Sequence, residues 1–438
     1  MNHYKETIRL GVPIMLGQLG IIIVGFADNM MVGHHNALEL AAASFVNNFF
    51  NLAFIFGMGF SYGLTPIIGQ LFARKEFDRI GSTLRNSMFI NGILGLFLTA
   101  CMTFLYFNLD WLDQPKELYP LIKPYYILQL ISIPFVMLFN SFKQFSDGTT
   151  DTLTPMYIML SANVLNIIGN YFLIFGYAGF PELGLTGAGL STLVSRVLSL
   201  LFFCILFIRH SKYAVYLKGF KKAYIKKKEL KELTRIGLPI GFQMGIESGS
   251  FNLAVIMMGW IGSTALAAYQ IAGVVTTLGF MLYYGIAAAV SIRISNFKGN
   301  KDMDRIRESA KAGFVIVGVC ILIDICFLLL FRNNIGYLFT TEDEVVKMVA
   351  VFCWPVICYQ LGDGMQILFA NALRGITDVK YMAKMALFCH FGLALPIGYI
   401  CGFTFDYGAL GIWFGFPISL TLLAFLLGRR FILLTRNK

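Results

Sequence analysis

The sequence predicts an all-α integral membrane protein, with about 12 transmembrane helices in two six-helix bundles related by a pseudo-twofold axis along the membrane normal. Composition, the distribution of charge and an internal duplication predict it. The 438 residues are 57% hydrophobic and only 13% charged, with a mean hydropathy of +0.70, values that a solvated globular surface does not reach. Residues 40–73, 86–109, 152–181, 248–292 and 385–405 contain no Asp, Glu, Lys or Arg, and a spanning helix needs only about 20 such residues. These runs are continuous, whereas a transmembrane β-barrel alternates apolar and polar positions, so helices are predicted.

Residues 1–10 lack the pattern of a cleaved secretory signal, so the first apolar segment is expected to remain. The eight cysteines lie in apolar stretches without C-x-x-C spacing, which argues against a disulfide framework or a zinc site and for small packing residues. The net charge is +11. In a soluble protein that would suggest nucleic acid, but here Lys and Arg gather at 74–85, 143, 209–235, 298–311, 374–384 and 429–438, while the alternate connections near His34, Pro181, Ser263 and Asp406 carry none. Connections near Lys116 and Arg332 carry few. By the positive-inside rule the rich set is cytoplasmic, which places both termini inside and requires an even number of spans.

The duplication appears at a constant offset. Arg9-Leu-Gly-Val-Pro13 is echoed by Arg235-Ile-Gly-Leu-Pro239, Leu40-Ala-Ala42 by Leu266-Ala-Ala268, Gly59 by Gly285, and Lys75 to Ile80 by Lys301 to Ile306, all 226 residues apart. Gly148 and Asp151 pair with Gly375 and Asp378, and Gly184 and Gly187 with Gly408 and Gly411, after small gaps. The expected organisation is an N-terminal bundle at 1–210, a basic cytoplasmic linker at 211–231 read as a solvated loop, and a C-terminal bundle at 232–438. Pro13 and Pro239 are read as first-turn prolines, with bending of each half's first helix as the alternative.

A charged side chain inside a span costs about 2.5–3.5 kcal/mol on insertion scales, so each needs a reason. Asp28, Glu247 and Asp363 stand out, and all are acids. In such surroundings a carboxyl either takes a proton or keeps its charge by binding a cation. Asn163, Asn166 and Asn170 share one helical face, Gln243 and Glu247 are one turn apart, and Tyr359, Asp363 and Gln366 lie on one stripe. Their oxygens could ligate Na⁺ or hydrogen-bond one another, and polar contacts between helices are the other reading. Asp324 and His390 are read as lone packing residues, and Arg196 and Arg293 as side chains that snorkel to the interface.

No G-x-x-x-x-G-K-[ST] loop, H-E-x-x-H or G-x-S-x-G motif is present, so neither ATP hydrolysis nor another enzymatic activity is expected. No cofactor is expected either, only Na⁺ or H⁺ as a coupling ion.

These residues resemble the multidrug and toxic compound extrusion (MATE) family along nearly the whole chain. The matching segments are Gly11-Val-Pro13 to Gln18, Asp28-Asn-Met-Met-Val-Gly33, Leu40-Ala-Ala42, Pro66 to Gln70, Asn166-Ile-Ile-Gly-Asn170, Gly184 to Thr192, Leu266-Ala-Ala-Tyr-Gln-Ile271, Tyr359-Gln-Leu-Gly-Asp363 and Leu373-Arg-Gly375 with Asp378. The resemblance implies a cation site in the N-terminal half at Asp28, Asn166, Asn170 and Thr192. It implies a second, for coupling cation and substrate, at Glu247, Tyr359 and Asp363, with Na⁺ a candidate ligand at both. Because the C-terminal acids are present, the chain is more similar to the NorM-like branch than to the DinF-like one. Two departures are Tyr269, where the family usually has His, and Lys143, where it has Arg.

The function expected is secondary active efflux of small organic, cationic and amphipathic compounds, in antiport with Na⁺ or H⁺, across a bacterial-type inner membrane. The alternative is a flippase for lipid-linked sugars or peptidoglycan precursors, which should favour a strongly cationic cleft. Membrane lipid is an expected partner, whereas nucleic acid and an obligate protein partner are not.

Overall fold

The computed structural model describes residues 2–112 and 115–436, is helical nearly throughout, and has no strand among the described residues. Lys438, in the basic group at 429–438, lies outside them. Among the described residues twelve long helices follow in order: α1 His3–His35, α2 Ala37–Ala73, α3 Phe77–Phe107, α4 Tyr119–Gly148, α5 Leu153–Phe175, α6 Gly184–Arg209, α7 Lys227–Ile261, α8 Ser263–Gly299, α9 Met303–Phe331, α10 Asp343–Gly375, α11 Val379–Thr404 and α12 Gly408–Thr435. All but α7 are long and apolar enough to cross a membrane. The remaining helix has 35 residues, ample for a span, but begins in the basic linker and carries Gln243 and Glu247 in its apolar part.

Contacts divide the chain into two units. The first, Leu16–Gly241, holds most of α1, all of α2–α6 and the beginning of α7. One of its cores joins Val46, Phe50, Tyr126, Ile133 and Met137, and another joins Ile68, Phe142, Phe145, Phe203 and Leu233. In this unit the start of α7 lies hard against α2, because a Cβ added to Gly237 would sit 2.4 Å from the Phe60 carbonyl oxygen.

The second unit is Met1–Met15 with Phe242–Lys438. Its core surrounds Trp413, Phe352, Tyr359 and Phe416, and a smaller cluster packs Leu10 and Ile14 of α1 against Ala289 and Ile292 of α8. Here Gly11 makes the close approach, since a Cβ would meet Ile286 Cδ1 at 2.7 Å. Gly11 and Ile286 occupy the repeat positions of Gly237 and Phe60.

The duplication extends to turn geometry. Lys75 and Lys301 are left-handed at φ 59° and 58°, and Thr150 and Thr377 at 65° and 63°. Around each pair the backbone bonds match: Lys75 N donates to Phe72 O and Lys301 N to Lys298 O, while Thr150 N donates to Asp147 O and Thr377 N to Arg374 O. Gly148 and Gly375 are small for one reason, because their Cβ atoms would meet Ile68 at 2.7 Å and Ile294 at 2.8 Å.

The structure differs from two sequence expectations. Pro13 and Pro239 lie inside α1 and α7, not in their first turns, so each removes an internal hydrogen bond from its helix. The linker is not a solvated loop throughout. Residues Ala214–Lys222 form a helix, and the approach of Gly219 to Asp78 and of Gly81 to Tyr216 brings its backbone against α3. Tyr216 is buried there, its ring 5.3 Å from that of Phe145, and Asn86 Nδ2 donates to Glu229 Oε2 at 2.9 Å.

Candidate cation sites and family membership

The first candidate site lies within the unit Leu16–Gly241. Its acid, Asp28, comes from α1, two amides come from successive turns of α5, and Thr192 comes from α6. Asn166 and Asn170 are buried, which their four-residue spacing permits on one inward stripe. Asn170 Nδ2 donates to Asp28 Oδ1. With the Asn166 amide oriented so that both ends find partners, its Nδ2 donates to the same oxygen at 2.8 Å and its Oδ1 accepts from Thr192 Oγ1 at 3.2 Å. All four expected residues therefore meet. Asn170 Oδ1 is buried without a hydrogen-bond donor, an oxygen free to face a cation. Asn163, on the same stripe, instead abuts Gly20, where a Cβ would lie 2.6 Å from its Nδ2.

Arg196 does not snorkel. Its guanidinium donates to Gln129 Oε1 at 2.7 Å and to Ser132 Oγ at 2.5 Å, lies 4.7 Å from the centre of the Phe54 ring, and is near enough to attract Asp28 electrostatically. Gln129 in turn donates to Tyr125, whose hydroxyl donates to Asn47. Gln129, Ser132, Tyr125 and Asn47 are the site's missed neighbours, and the lone Arg within an apolar helix was their available signal. Arg293 is also buried, and is bonded to the His3 carbonyl and to Thr7 Oγ1.

The second candidate site lies within the unit containing Phe242–Lys438. Gln243 Nε2 donates to Glu247 Oε2 at 2.8 Å along α7, and Gln243 Oε1 is buried without a donor. Asp363, Gln366 and Arg374 of α10 are close enough to act on the Glu247 carboxyl. The hydroxyl bonded to Asp363 is that of Tyr283 on α8. Tyr359 is buried nearby and stacks on Trp413 with ring centres 6.0 Å apart and planes 11° from parallel. Tyr283 and Gln360 were missed, because an isolated Tyr or Gln carries no periodic signal. Asp324, read as a packing residue, accepts from Gln360 Nε2. His390 is buried and its Nδ1 lies 3.0 Å from Ser250 Oγ, while Ser250 itself donates to the Glu247 carbonyl.

Both sites thus have a carboxyl in an apolar bundle and a buried amide oxygen without a donor, a set suited to a proton or a hard monovalent cation. No group of three or more His, Cys, Asp and Glu suited to a metal ion occurs among the described residues.

Residues 13–172 and 239–400 each match the MatE family model. The chain belongs to the MatE family. The two matches fall on the two repeats, so each half of the chain carries one copy of the family's sequence pattern. Among MatE relatives, the multidrug resistance protein NorM of Vibrio cholerae is 28% identical over 440 residues, covering 98% of this chain and 96% of its own. The probable multidrug resistance protein NorM of Bradyrhizobium diazoefficiens is 29% identical over 443 residues, covering 100% and 94%. Among solved MatE-type structures, a MATE in the straight conformation aligns with a TM-score of 0.90 at 19% identity, covering 100% of this chain and 98% of that one. The eukaryotic MATE transporter AtDTX14 aligns at 0.89 and 19%, covering 98% and 96%. MatE proteins are transporters, not enzymes, and this one is an integral membrane protein.

Proposed function

We propose that this chain is a secondary active exporter of organic, cationic and amphipathic compounds, driven by inward movement of H⁺ or Na⁺ across a bacterial-type inner membrane, with both termini cytoplasmic. The observation that carries the reading is the pair of acid clusters within apolar helices, one joining Asp28 and Thr192 to the buried amides of Asn166 and Asn170 and one on Glu247 and the buried Asp363 beside Tyr359. Relatives named for multidrug resistance support the substrate class.

The residues account for coupling as follows. Organic substrate binds from the cytoplasmic side while the acids hold no coupling cation. Exposure to the other side lets cations reach them, and cation binding favours the state that releases substrate. Coupling requires only that the two ligands prefer different states of the protein. Asp28 and the Glu247–Asp363 pair supply the negative charge, and the amide and hydroxyl oxygens orient it.

The test is efflux of a cationic dye from proteoliposomes under an imposed Na⁺ gradient or an imposed pH gradient, each alone. One gradient should drive efflux, and the Glu247→Gln, Asp363→Asn double variant should abolish it. Wild-type rates in that variant would overturn the proposed mechanism.

A further inference from the structure

Asp324 is a lone acid in the apolar run 312–331 of α9, a placement that costs free energy unless a contact offsets it. It is 5% exposed. Its carboxyl fits a space left by Gly279 of α8, where a Cβ would lie 2.5 Å from Oδ2 and 2.6 Å from Cγ. From there a hydrogen-bonded chain crosses three helices. Gln360 Nε2 of α10 donates to Asp324 Oδ2, Gln360 Oε1 lies 3.0 Å from the Tyr283 hydroxyl of α8, and that hydroxyl also contacts Asp363 Oδ2. Gln360 and Tyr283 are fully buried and Asp363 is nearly so.

Donor counting gives the chain a direction. A carboxylate only accepts, so Asp324 turns the amide nitrogen of Gln360 towards itself and thereby the amide oxygen towards Tyr283. The phenol has one proton and faces two acceptors, Gln360 Oε1 and Asp363 Oδ2. Whatever share Gln360 draws weakens the bond to Asp363. Without Asp324 the amide can turn end for end and offer its nitrogen to the phenol oxygen, which commits the phenol proton to Asp363.

We propose that Asp324 is a positioning residue of the C-terminal site: by fixing the Gln360 amide it sets a second acceptor against the Tyr283 proton, which weakens the bond from Tyr283 to Asp363 that the coupling cation must displace. This rests on the antiport reading above. The charged and titratable groups around the chain are Glu247 on α7, Tyr283 on α8, and Tyr359 and Arg374 on α10. Among the described residues, Asp324 is the one acid bonded to the Gln360 amide.

The experiment measures dye efflux from proteoliposomes against the concentration of the driving cation, for wild type, Asp324→Ala, Tyr283→Phe and the double variant. Asp324→Ala should raise the cation concentration for half-maximal efflux about tenfold, the effect of one buried hydrogen bond. Asp324→Asn keeps an acceptor oxygen and should recover most of the loss. Most of the effect of Asp324→Ala should be lost in the Tyr283→Phe background, because the phenol transmits it; the direct charge of Asp324 on Asp363 accounts for the remainder. Gly279→Ala, which displaces the carboxyl without removing it, should act in the same direction as Asp324→Ala and serves if that variant does not fold. An unchanged cation dependence in both, or an Asp324→Ala effect that persists in full without the phenol, would overturn the proposal while leaving antiport standing. A wild-type protein indifferent to both gradients would overturn both.

Discussion

Asn170 and Asp28, 142 residues apart in sequence, are joined by a hydrogen bond from the amide nitrogen to the carboxyl oxygen, and the other end of the same amide, Asn170 Oδ1, is buried without a donor. One side chain thus both orients the acid and offers a free oxygen beside it. Asn170→Ala removes both. The expected outcome is an efflux activity that needs about tenfold more driving cation, corresponding to roughly 1.4 kcal/mol for one charge-assisted hydrogen bond. Cation titration of dye efflux measures it, and an unchanged half-maximal concentration would count against a cation role for this site.

The linker helix tests a packing claim. Cβ atoms at Gly81 and Gly219 would each lie 2.1 Å from a backbone oxygen, of Tyr216 and Asp78 respectively. Backbone cannot yield as a side-chain tip can. Gly219→Val should therefore lower stability by about 1–3 kcal/mol and loosen the helix Ala214–Lys222 from α3. Thermal unfolding in detergent, together with faster tryptic cleavage at the linker lysines, is the measurement.

Asp151 sits outside the spanning helices, in the turn between α4 and α5. Burial of its carboxyl opposes ionisation, but the Lys212 ammonium at 2.6 Å and bonds from Tyr213 and the Thr154 N–H outweigh that and hold it below its ordinary value of 3.8. A carboxyl lowered by folding contributes its stability above the ordinary value and loses it as pH falls through the folded one. Asp151→Asn should cost about 1 kcal/mol at neutral pH, a modest figure because Lys212 is half exposed. The difference from wild type should close below about pH 4. Melting temperatures across pH 3–7 check this; a difference that stays constant would contradict it.

Thr150 and Thr377 offer a paired prediction. Both are β-branched residues at positive φ, a strained conformation that glycine adopts freely. Thr150→Gly and Thr377→Gly should each relieve about 0.5–1 kcal/mol of backbone strain, because their backbone turns match, but the net gain should be smaller at Thr377, whose Oγ1 accepts from Lys298 Nζ at 2.7 Å. Two separate melting curves suffice. A gain in one half and a loss in the other would show that the likeness of the turns is only geometric.

The fold was legible because its determinants are local and long. Charge-free runs mark the spans, and the fixed offset from Arg9 to Arg235 exposes two copies of one scaffold. Site residues were legible where a polar group broke an apolar run, as at Asp28, Asn166, Asn170, Glu247 and Asp363. Tyr283 and Gln360 were not, because their importance lies in a shared contact with Asp363 that no spacing encodes. Arg196 was misread because a long basic side chain in a span can either reach the interface or turn inward, and only Gln129 and Ser132 decide the matter. The linker was misread because its lysines conceal Tyr216 and Gly219, which face α3.

The division of α1 and α7 between the two units bears on how the chain is made. Within the leading segment, Leu10 and Ile14 pack against Ala289 and Ile292, and Leu16–Gly241 gains Leu233 when α7 begins. During synthesis the leading segment must therefore wait, inserted but without its packing partners, until α8 has emerged. A ribosome paused after α6 would hold a chain in which neither unit is complete, and that is the stage at which helper proteins in the membrane have most to protect.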